Sequence, residues 1–166
     1  PKMVDFFKVL KSKINHAHLL ILANNGVEKL AELFLEKGVK KEDYTVLSLQ
    51  SIEVPKYLSG SNLVLSITSN CYSEKAAFRT KFAEYFMSGL PVAISTENRF
   101  IKDIISSNKI GVIIEKLDEG GYKKNVEDLM VLLEDKGLKS RCKEVSKKYL
   151  DKHVCIDKYM DIYGIL

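Results

Sequence analysis

Short apolar segments alternate with amphipathic helical segments along most of this sequence, and this alternation constrains the fold more than any other feature. The apolar segments are rich in Val, Ile and Leu, as in strands that are buried on both faces of a parallel sheet. The segments between them repeat apolar residues at helical spacing. This pattern predicts a Rossmann-like, doubly wound α/β fold: a parallel sheet with helices on both faces. Strands are predicted at residues 18–23, 44–49, 62–68, 90–95 and 111–115, and helices at 4–14, 26–37, 54–58, 80–88 and 100–107.

After residue 120 the pattern changes from alternation to helices alone. Gly120 and Gly121 are interpreted as opening a loop, and helices are predicted at 125–136, 138–150 and 154–163. The chain has 166 residues, the length of one domain, so residues 1–166 are predicted to form a single unit with a helical C-terminal tail. The sequence opens with a helix, whereas a doubly wound sheet usually opens with a central strand. We expect that strand to be absent or to lie outside this sequence.

The charged residues and cysteines argue against several classes of function. The net charge is +4, from 26 basic and 22 acidic residues, but no dense basic tract carries aromatic residues, so nucleic-acid binding is not expected. The three cysteines lack CxxC spacing, which argues against a zinc site or a disulfide framework and suits a reducing cytoplasm. His16 and His18 have no third ligand nearby in sequence, so a surface pair is favoured over a metal site.

Residues 69–95 carry the clearest chemistry. The loop at 69–79 follows the third predicted strand, at the sheet edge where doubly wound folds bind ligands. Thr80 is expected to cap the next helix, whose free N–H groups would suit a phosphate. Lys81 and Glu84 share a face of that helix, where a lysine can neutralise phosphate charge and a carboxylate can bind a diol. The alternative is an ordinary Lys–Glu pair on a solvated helix.

This segment resembles a signature of retaining glycosyltransferases of the GT-B fold, family 4 and its relatives. Residues 80–85 read T-K-F-A-E-Y and residues 89–92 read G-L-P-V, similar to the K-x-x-E-Y/A and G-x-P-V parts of that signature. Weaker similarity continues at 57–65, 110–114 and 159–163, so the resemblance spans most of the chain. Several positions depart from the family pattern: Asn62 replaces a usual aspartate, Ala76 replaces the first glutamate of an E-x7-E pair, and Phe78 and Arg79 replace the Ser-Pro of one sub-branch.

The resemblance implies a donor site for a nucleotide-diphosphate sugar. In this family, the residue matching Glu84 holds the ribose hydroxyls and the start of its helix meets the diphosphate. Lys81 would stabilise the charge on the departing diphosphate, and the resemblance implies neither a metal nor a cofactor besides the donor substrate. The loop after the second strand would line the nucleobase. The implied catalytic residues are Lys81 and Glu84, and the implied donor-binding residues are Arg79, Thr80, Phe82, Gln50, Ile52 and Ser73.

The resemblance also implies partners that this sequence does not contain. In the family, the acceptor site and the remaining catalytic groups lie on an amino-terminal domain. We therefore expect this chain to be the donor half of a cytoplasmic two-domain enzyme, inactive alone, whose acceptor is a glycan, a lipid-linked sugar or a small molecule, as in polysaccharide biosynthesis. A basic stretch in the last helices either contacts an anionic membrane surface peripherally or faces solvent, and we favour solvent. Its residues are Lys139, Arg141, Lys143, Lys147, Lys148, Lys152 and Lys158.

Two other functions remain open at the level of sequence. A GT-B-fold sugar-nucleotide epimerase would share the architecture, and a non-catalytic interaction module could keep the same fold. Ala76, in place of the first glutamate, slightly favours the non-catalytic module, whereas Lys81 and Glu84 argue against it.

Overall fold

The computed structural model describes residues 2–23, 26–67 and 80–164. Helices and strands alternate through β5, and helices follow to the end, as predicted. The strands are shorter than predicted: β2 and β5 begin at the predicted residue and end two residues early, and the other three are shorter at both ends. The elements are α1 Lys2–Lys13, β1 Leu19–Leu22, α2 Val27–Glu36, β2 Tyr44–Leu47, α3 Val54–Ser59, β3 Val64–Ser66, α4 Lys81–Met87, β4 Val92–Ile94, α5 Arg99–Asn108, β5 Gly111–Ile113, α6 Glu119–Leu133, α7 Leu138–Val145 and α8 Lys152–Tyr163, with a 3-10 turn at Lys41–Asp43 and a π-helical segment at Ser146–Leu150.

All the described strands pair in parallel, which confirms the predicted doubly wound α/β class. β1 pairs with β2, and β3, β4 and β5 form a second ladder in that order. The pairing therefore forms two ladders, whereas the sequence suggested one continuous sheet. β4 is central in its ladder, with Val92 opposite both Val64 and Gly111.

Successive residues of β4 show how helices cover both faces of the sheet. Ala93 lies in a core cluster with residues of α1, α2 and α6, whereas Val92 and Ile94 lie in a second cluster with residues of α4, α5 and α7. This alternation follows from the period of two in a strand. The helical members of the first cluster are Val4, Phe6, Phe7, Leu10, Phe34, Tyr122, Val126 and Leu129. Those of the second are Phe82, Phe86, Ile101, Ile104, Ile105, Leu138, Cys142 and Val145.

Three helices end in the same left-handed stop. Gly38 after α2, Gly89 after α4 and Lys109 after α5 have φ of 69°, 77° and 50°. In each case the next residue donates a backbone hydrogen bond to the carbonyl five residues before it, for example Leu90 N–H to Tyr85 O at 3.0 Å. This is the Schellman arrangement. The predicted stop at Gly38 is confirmed, and Gly89 has the same role between α4 and β4.

Helix α6 begins at Glu119, so the predicted loop at Gly120 and Gly121 is wrong. Asp118 caps this helix, because its Oδ1 accepts the Gly121 N–H at 2.8 Å. A Cβ on Gly121 would collide with the Lys116 backbone, so glycine permits close packing of the helix start against the preceding loop.

Arg141 is not part of a solvated basic face. Its guanidinium contacts Asp135 Oδ2 at 2.7 Å and donates to the carbonyls of Lys109, at 3.1 Å, and Asn108, at 3.3 Å. It thus holds the C-terminal end of α5 against the turn between α6 and α7. The same contact, together with a hydrogen bond from Gly137 N–H, lowers the pKa of Asp135.

Among the residues that the structure describes, no helix combines the length and the apolar character that crossing a bilayer would require.

Candidate functional site

The predicted site residues that the structure describes all follow the carboxyl ends of parallel strands. Gln50 and Ile52 follow β2, which ends at Leu47, and α4 is the helix after β3, which ends at Ser66. Parallel strands end at the same edge, so the β2 loop and the start of α4 lie on the edge where doubly wound sheets bind ligands. The fold therefore confirms the predicted sheet edge.

Lys81 and Glu84 lie one turn apart at the start of α4, and both are exposed. Neither side chain makes a hydrogen bond or ion pair within the described residues. Their charged ends are free to meet a ligand.

Phe82, between them, has a structural role. Its side chain is 2% exposed and packs in the second core cluster, with Phe86 stacked at 6.1 Å and Tyr85 edge-on at 6.1 Å between ring centroids. A ligand at this edge can therefore reach only its backbone. The buried ring fixes the rotation of α4 about its axis, and this rotation keeps Lys81 and Glu84 on the solvent side.

The prediction that Thr80 caps α4 with its side chain is wrong. Thr80 has helical dihedral angles, φ −52° and ψ −29°, and its side chain makes no capping hydrogen bond. A capping residue needs an extended backbone for its side-chain oxygen to reach back to the first N–H groups. Thr80 instead takes part through its carbonyl, which accepts the Ala83 N–H at 3.0 Å.

The C-terminal helical segments contact α4 on its buried side and hold it in place. The Ser146 hydroxyl is 1% exposed and donates to the Ala83 carbonyl at 3.1 Å, while Phe82 and Phe86 pack with Leu138 and Cys142. Sequence reasoning missed Ser146 because this contact joins residues 63 positions apart. The only local signal was a serine on the apolar side of a helical segment.

The loop after β2 is a tight turn held by Glu53. Its carboxylate accepts the Gln50 N–H at 3.0 Å, and the Glu53 N–H donates to the Gln50 carbonyl at 2.9 Å. Ile52, at the tip of this turn, is 84% exposed. An exposed isoleucine at this edge offers an apolar surface on which a planar group could pack, in keeping with the predicted nucleobase contact.

Two predicted donor-binding residues, Ser73 and Arg79, lie outside the described residues, as do Ala76 and the rest of the loop from 68 to 79. In the loop after β4, Asn98 caps α5, since its side chain accepts the Ile101 N–H at 3.1 Å, and Glu97 is exposed beside it.

The described residues contain no group of three His, Cys, Asp or Glu side chains that could hold a metal ion. His18 instead hydrogen-bonds the Thr45 hydroxyl at 2.8 Å, which ties β1 to β2. A surface groove of about 710 Å³ lies elsewhere, along the outer edge of β5, and none of the predicted site residues lines it.

Comparison with solved structures identifies the architecture. The chain superposes with a TM-score of 0.60 on WaaG, a glycosyltransferase involved in lipopolysaccharide biosynthesis, over 91% of its own length at 17% sequence identity. The fold is that of one Rossmann-like half of a GT-B fold. Because the match covers 38% of the WaaG chain, the present chain corresponds to less than half of that protein. No protein-family model and no curated protein matches the sequence.

Proposed function

We propose that this chain is the donor-binding half of a retaining glycosyltransferase and that it binds a nucleotide-diphosphate sugar at the carboxyl edge of its sheet. The observation that carries the proposal is the placement of Lys81 and Glu84. Both are exposed and unpaired within the described residues, one turn apart, on the helix that follows β3 in a GT-B glycosyltransferase fold. The resemblance in sequence and the likeness in fold support the proposal independently.

The two side chains suit two parts of the donor. The Glu84 carboxylate can accept hydrogen bonds from both hydroxyls of a ribose, a charge-assisted and geometrically selective contact. The Lys81 ammonium can stabilise the negative charge that develops on the diphosphate as the sugar leaves, and the resemblance implies that it does so without a divalent metal. The turn at Gln50 and Ile52 would receive the nucleobase.

Transfer would require a second domain across the cleft. The acceptor is proposed to be a glycan, a lipid-linked sugar or a small molecule, bound on the amino-terminal half that GT-B enzymes carry. Cytoplasmic location belongs to the same proposal. The chain alone is expected to bind the donor weakly and to have little or no transferase activity.

Calorimetric titration of the folded chain with UDP, GDP, ADP, CDP and dTDP tests the site. At least one should bind, and Glu84→Gln should weaken its binding about 10- to 100-fold, because a hydrogen-bonded charge contributes about 1.5–3 kcal/mol. Lys81→Met should weaken nucleotide binding about 10-fold and should make the remaining affinity less dependent on salt concentration.

Glu134→Gln and Lys136→Met are matched controls, because both residues are exposed and follow the C-terminal end of α6, at the opposite edge of the sheet. They should leave affinity unchanged. A folded chain that binds none of the five nucleotides, or an affinity that Glu84→Gln leaves intact, would contradict the proposed site.

A further inference from the structure

Ser146 is a buried polar residue whose hydroxyl bonds outside its own helical segment. Its side chain is 1% exposed, and it donates to the Ala83 carbonyl in α4 at 3.1 Å. A serine in a helix usually returns its hydroxyl to a carbonyl one turn earlier in the same helix. Ser146 follows α7 directly, yet its hydroxyl joins two elements that lie 63 positions apart in sequence. The bond therefore serves the placement of α4 and not the local helix.

The acceptor of this bond lies within the charged pair of the candidate site. Ala83 is the residue before Glu84 and the second residue after Lys81. Helix α4 has seven residues, and a helix of that length is not stable in water without tertiary contacts. The position of the two charged side chains therefore depends on what holds the backbone of α4 around Ala83.

Apolar packing fixes the placement of α4 only in part. Phe82 and Phe86 are buried, and they decide which side of the helix faces the core. Apolar contacts have no direction, so they tolerate small shifts of α4 along its axis, whereas a hydrogen bond requires a defined distance and angle. Thr80 supplies no side-chain cap that would fix the start of the helix. The bond from Ser146 adds a direction-dependent contact next to Glu84.

The segment that carries Ser146 is itself held against α4. Residues Ser146–Leu150 form the π-helical segment, and Tyr149 and Leu150 pack against the cluster that contains Phe82 and Phe86. π turns are rare, and they occur frequently at functional sites. The hydroxyl of Ser146 is thus presented to α4 by a segment whose own side chains are packed on the buried side of that helix.

We propose that Ser146 is a positioning residue for donor binding: its hydroxyl holds α4 so that Glu84 reaches the ribose hydroxyls and Lys81 reaches the diphosphate. The inference rests on the proposed function and adds to it a residue that contacts neither the donor nor the reacting atoms. Side chains that bind a ligand have to be held within about 0.5 Å of the productive geometry by packing and by hydrogen bonds behind them. Ser146 supplies such a hydrogen bond.

Calorimetric titration tests the proposal, with whichever of UDP, GDP, ADP, CDP and dTDP binds the unaltered chain most tightly. Ser146→Ala should weaken this binding about 3- to 10-fold, because the loss of one neutral hydrogen bond lets α4 shift. Ser146→Cys keeps the size of the side chain and a weaker donor, so it should weaken binding less, and it replaces Ser146→Ala if alanine prevents folding.

Asn125→Ala is the matched control. The Asn125 side chain also donates to a backbone carbonyl of another element, that of Ile113 at 3.0 Å, but it does so at the outer edge of β5. Its loss should leave nucleotide affinity unchanged.

Two further measurements separate positioning from a general loss of stability. Glu84→Gln should cost at least about 3-fold less affinity in the Ser146→Ala chain than in the unaltered chain, because residues that act through one contact are not additive. In the ligand-free Ser146→Ala chain, amide exchange at Phe86 in α4 should become about 3- to 10-fold faster relative to Ile105 in α5. Asn125→Ala should leave that ratio unchanged.

Three results would overturn the role of Ser146 and leave the proposed donor site standing. The first is that Ser146→Ala and Ser146→Cys bind the nucleotide as tightly as the unaltered chain does. The second is that Glu84→Gln costs the same affinity with and without the Ser146 hydroxyl. The third is that exchange at Phe86 and at Ile105 accelerates by the same factor, so that the bond stabilises the whole fold and not α4. If the folded, unaltered chain binds none of the five nucleotides, the proposed function fails, and the role of Ser146 fails with it.

Discussion

At the scale of single residues, Cys142 shows how the core controls ionisation. Its thiol is fully buried in the second cluster, beneath the helix that carries Lys81 and Glu84. Burial disfavours the thiolate and raises the pKa of Cys142 from 9.0 to about 11. This thiol is therefore a small apolar side chain in the folded state, and the position is unsuited to a nucleophile.

The raised pKa predicts a specific loss of stability at alkaline pH. Below pH 9 both states hold the thiol proton, whereas between about pH 9 and 11 the unfolded chain loses it and the folded chain keeps it. The free energy of unfolding should therefore fall by about 1–2 kcal/mol over that interval. Urea unfolding at pH 8 and pH 10.5 measures this fall, and Cys142→Ala should show a smaller one. If the free energy of unfolding falls equally in the two proteins, the Cys142 thiol is not the source of the alkaline loss of stability.

At the scale of elements, the helix ends are set by backbone conformation as much as by packing. Gly89 and Lys109 occupy equivalent left-handed positions after α4 and α5, yet only glycine adopts this conformation without strain. Gly89→Ala should lower the free energy of unfolding by about 1–2 kcal/mol, whereas Lys109→Gly should raise it by about 0.5–1 kcal/mol. Chemical denaturation of both variants checks this, and effects of the same sign would show that other contacts dominate.

The elements that could be predicted from sequence are those whose signal is local. The apolar runs of β1 to β5 and the stop at Gly38 each depend on residues that are adjacent in the chain, and all are confirmed. The predictions for the start of α6 and for the cap at Thr80 were wrong. Glycine occurs both in loops and in the first turn of a helix, and threonine occurs both as a cap and as a helical residue, so tertiary contacts decide between the two.

The same limit applies to the candidate site. The exposure of Lys81 and Glu84 follows from helical period, since Phe82 and Phe86 take the buried side of α4. The bond from Ser146 to α4 and the division of the sheet into two ladders could not be predicted, because both depend on residues far apart in the chain. The roles of Lys81 and Glu84 in donor binding stay predictions.

At the scale of the whole molecule, one layer of helices holds the two ladders together. Phe6 of α1 packs edge-on against Tyr122 of α6, with ring centroids 5.5 Å apart. The cluster around this pair includes Leu19 and Tyr44 of the first ladder and Ala93 and Val112 of the second. No described strand pairing crosses from one ladder to the other, so we expect cooperativity between them to pass through this cluster.

Phe6→Leu tests that coupling. The smaller side chain leaves a cavity beneath both ladders and should lower the free energy of unfolding by about 1–2 kcal/mol. Because the cluster is shared, the opening free energies measured by amide exchange at Ile21 in β1 and at Ala93 in β4 should fall by the same amount. Phe82→Leu is the size-matched comparison, since the second cluster includes residues of β3, β4 and β5 and none of β1 or β2. If Phe6→Leu lowers protection at Ile21 and leaves Ala93 unchanged, the two ladders unfold independently and the helix layer does not couple them.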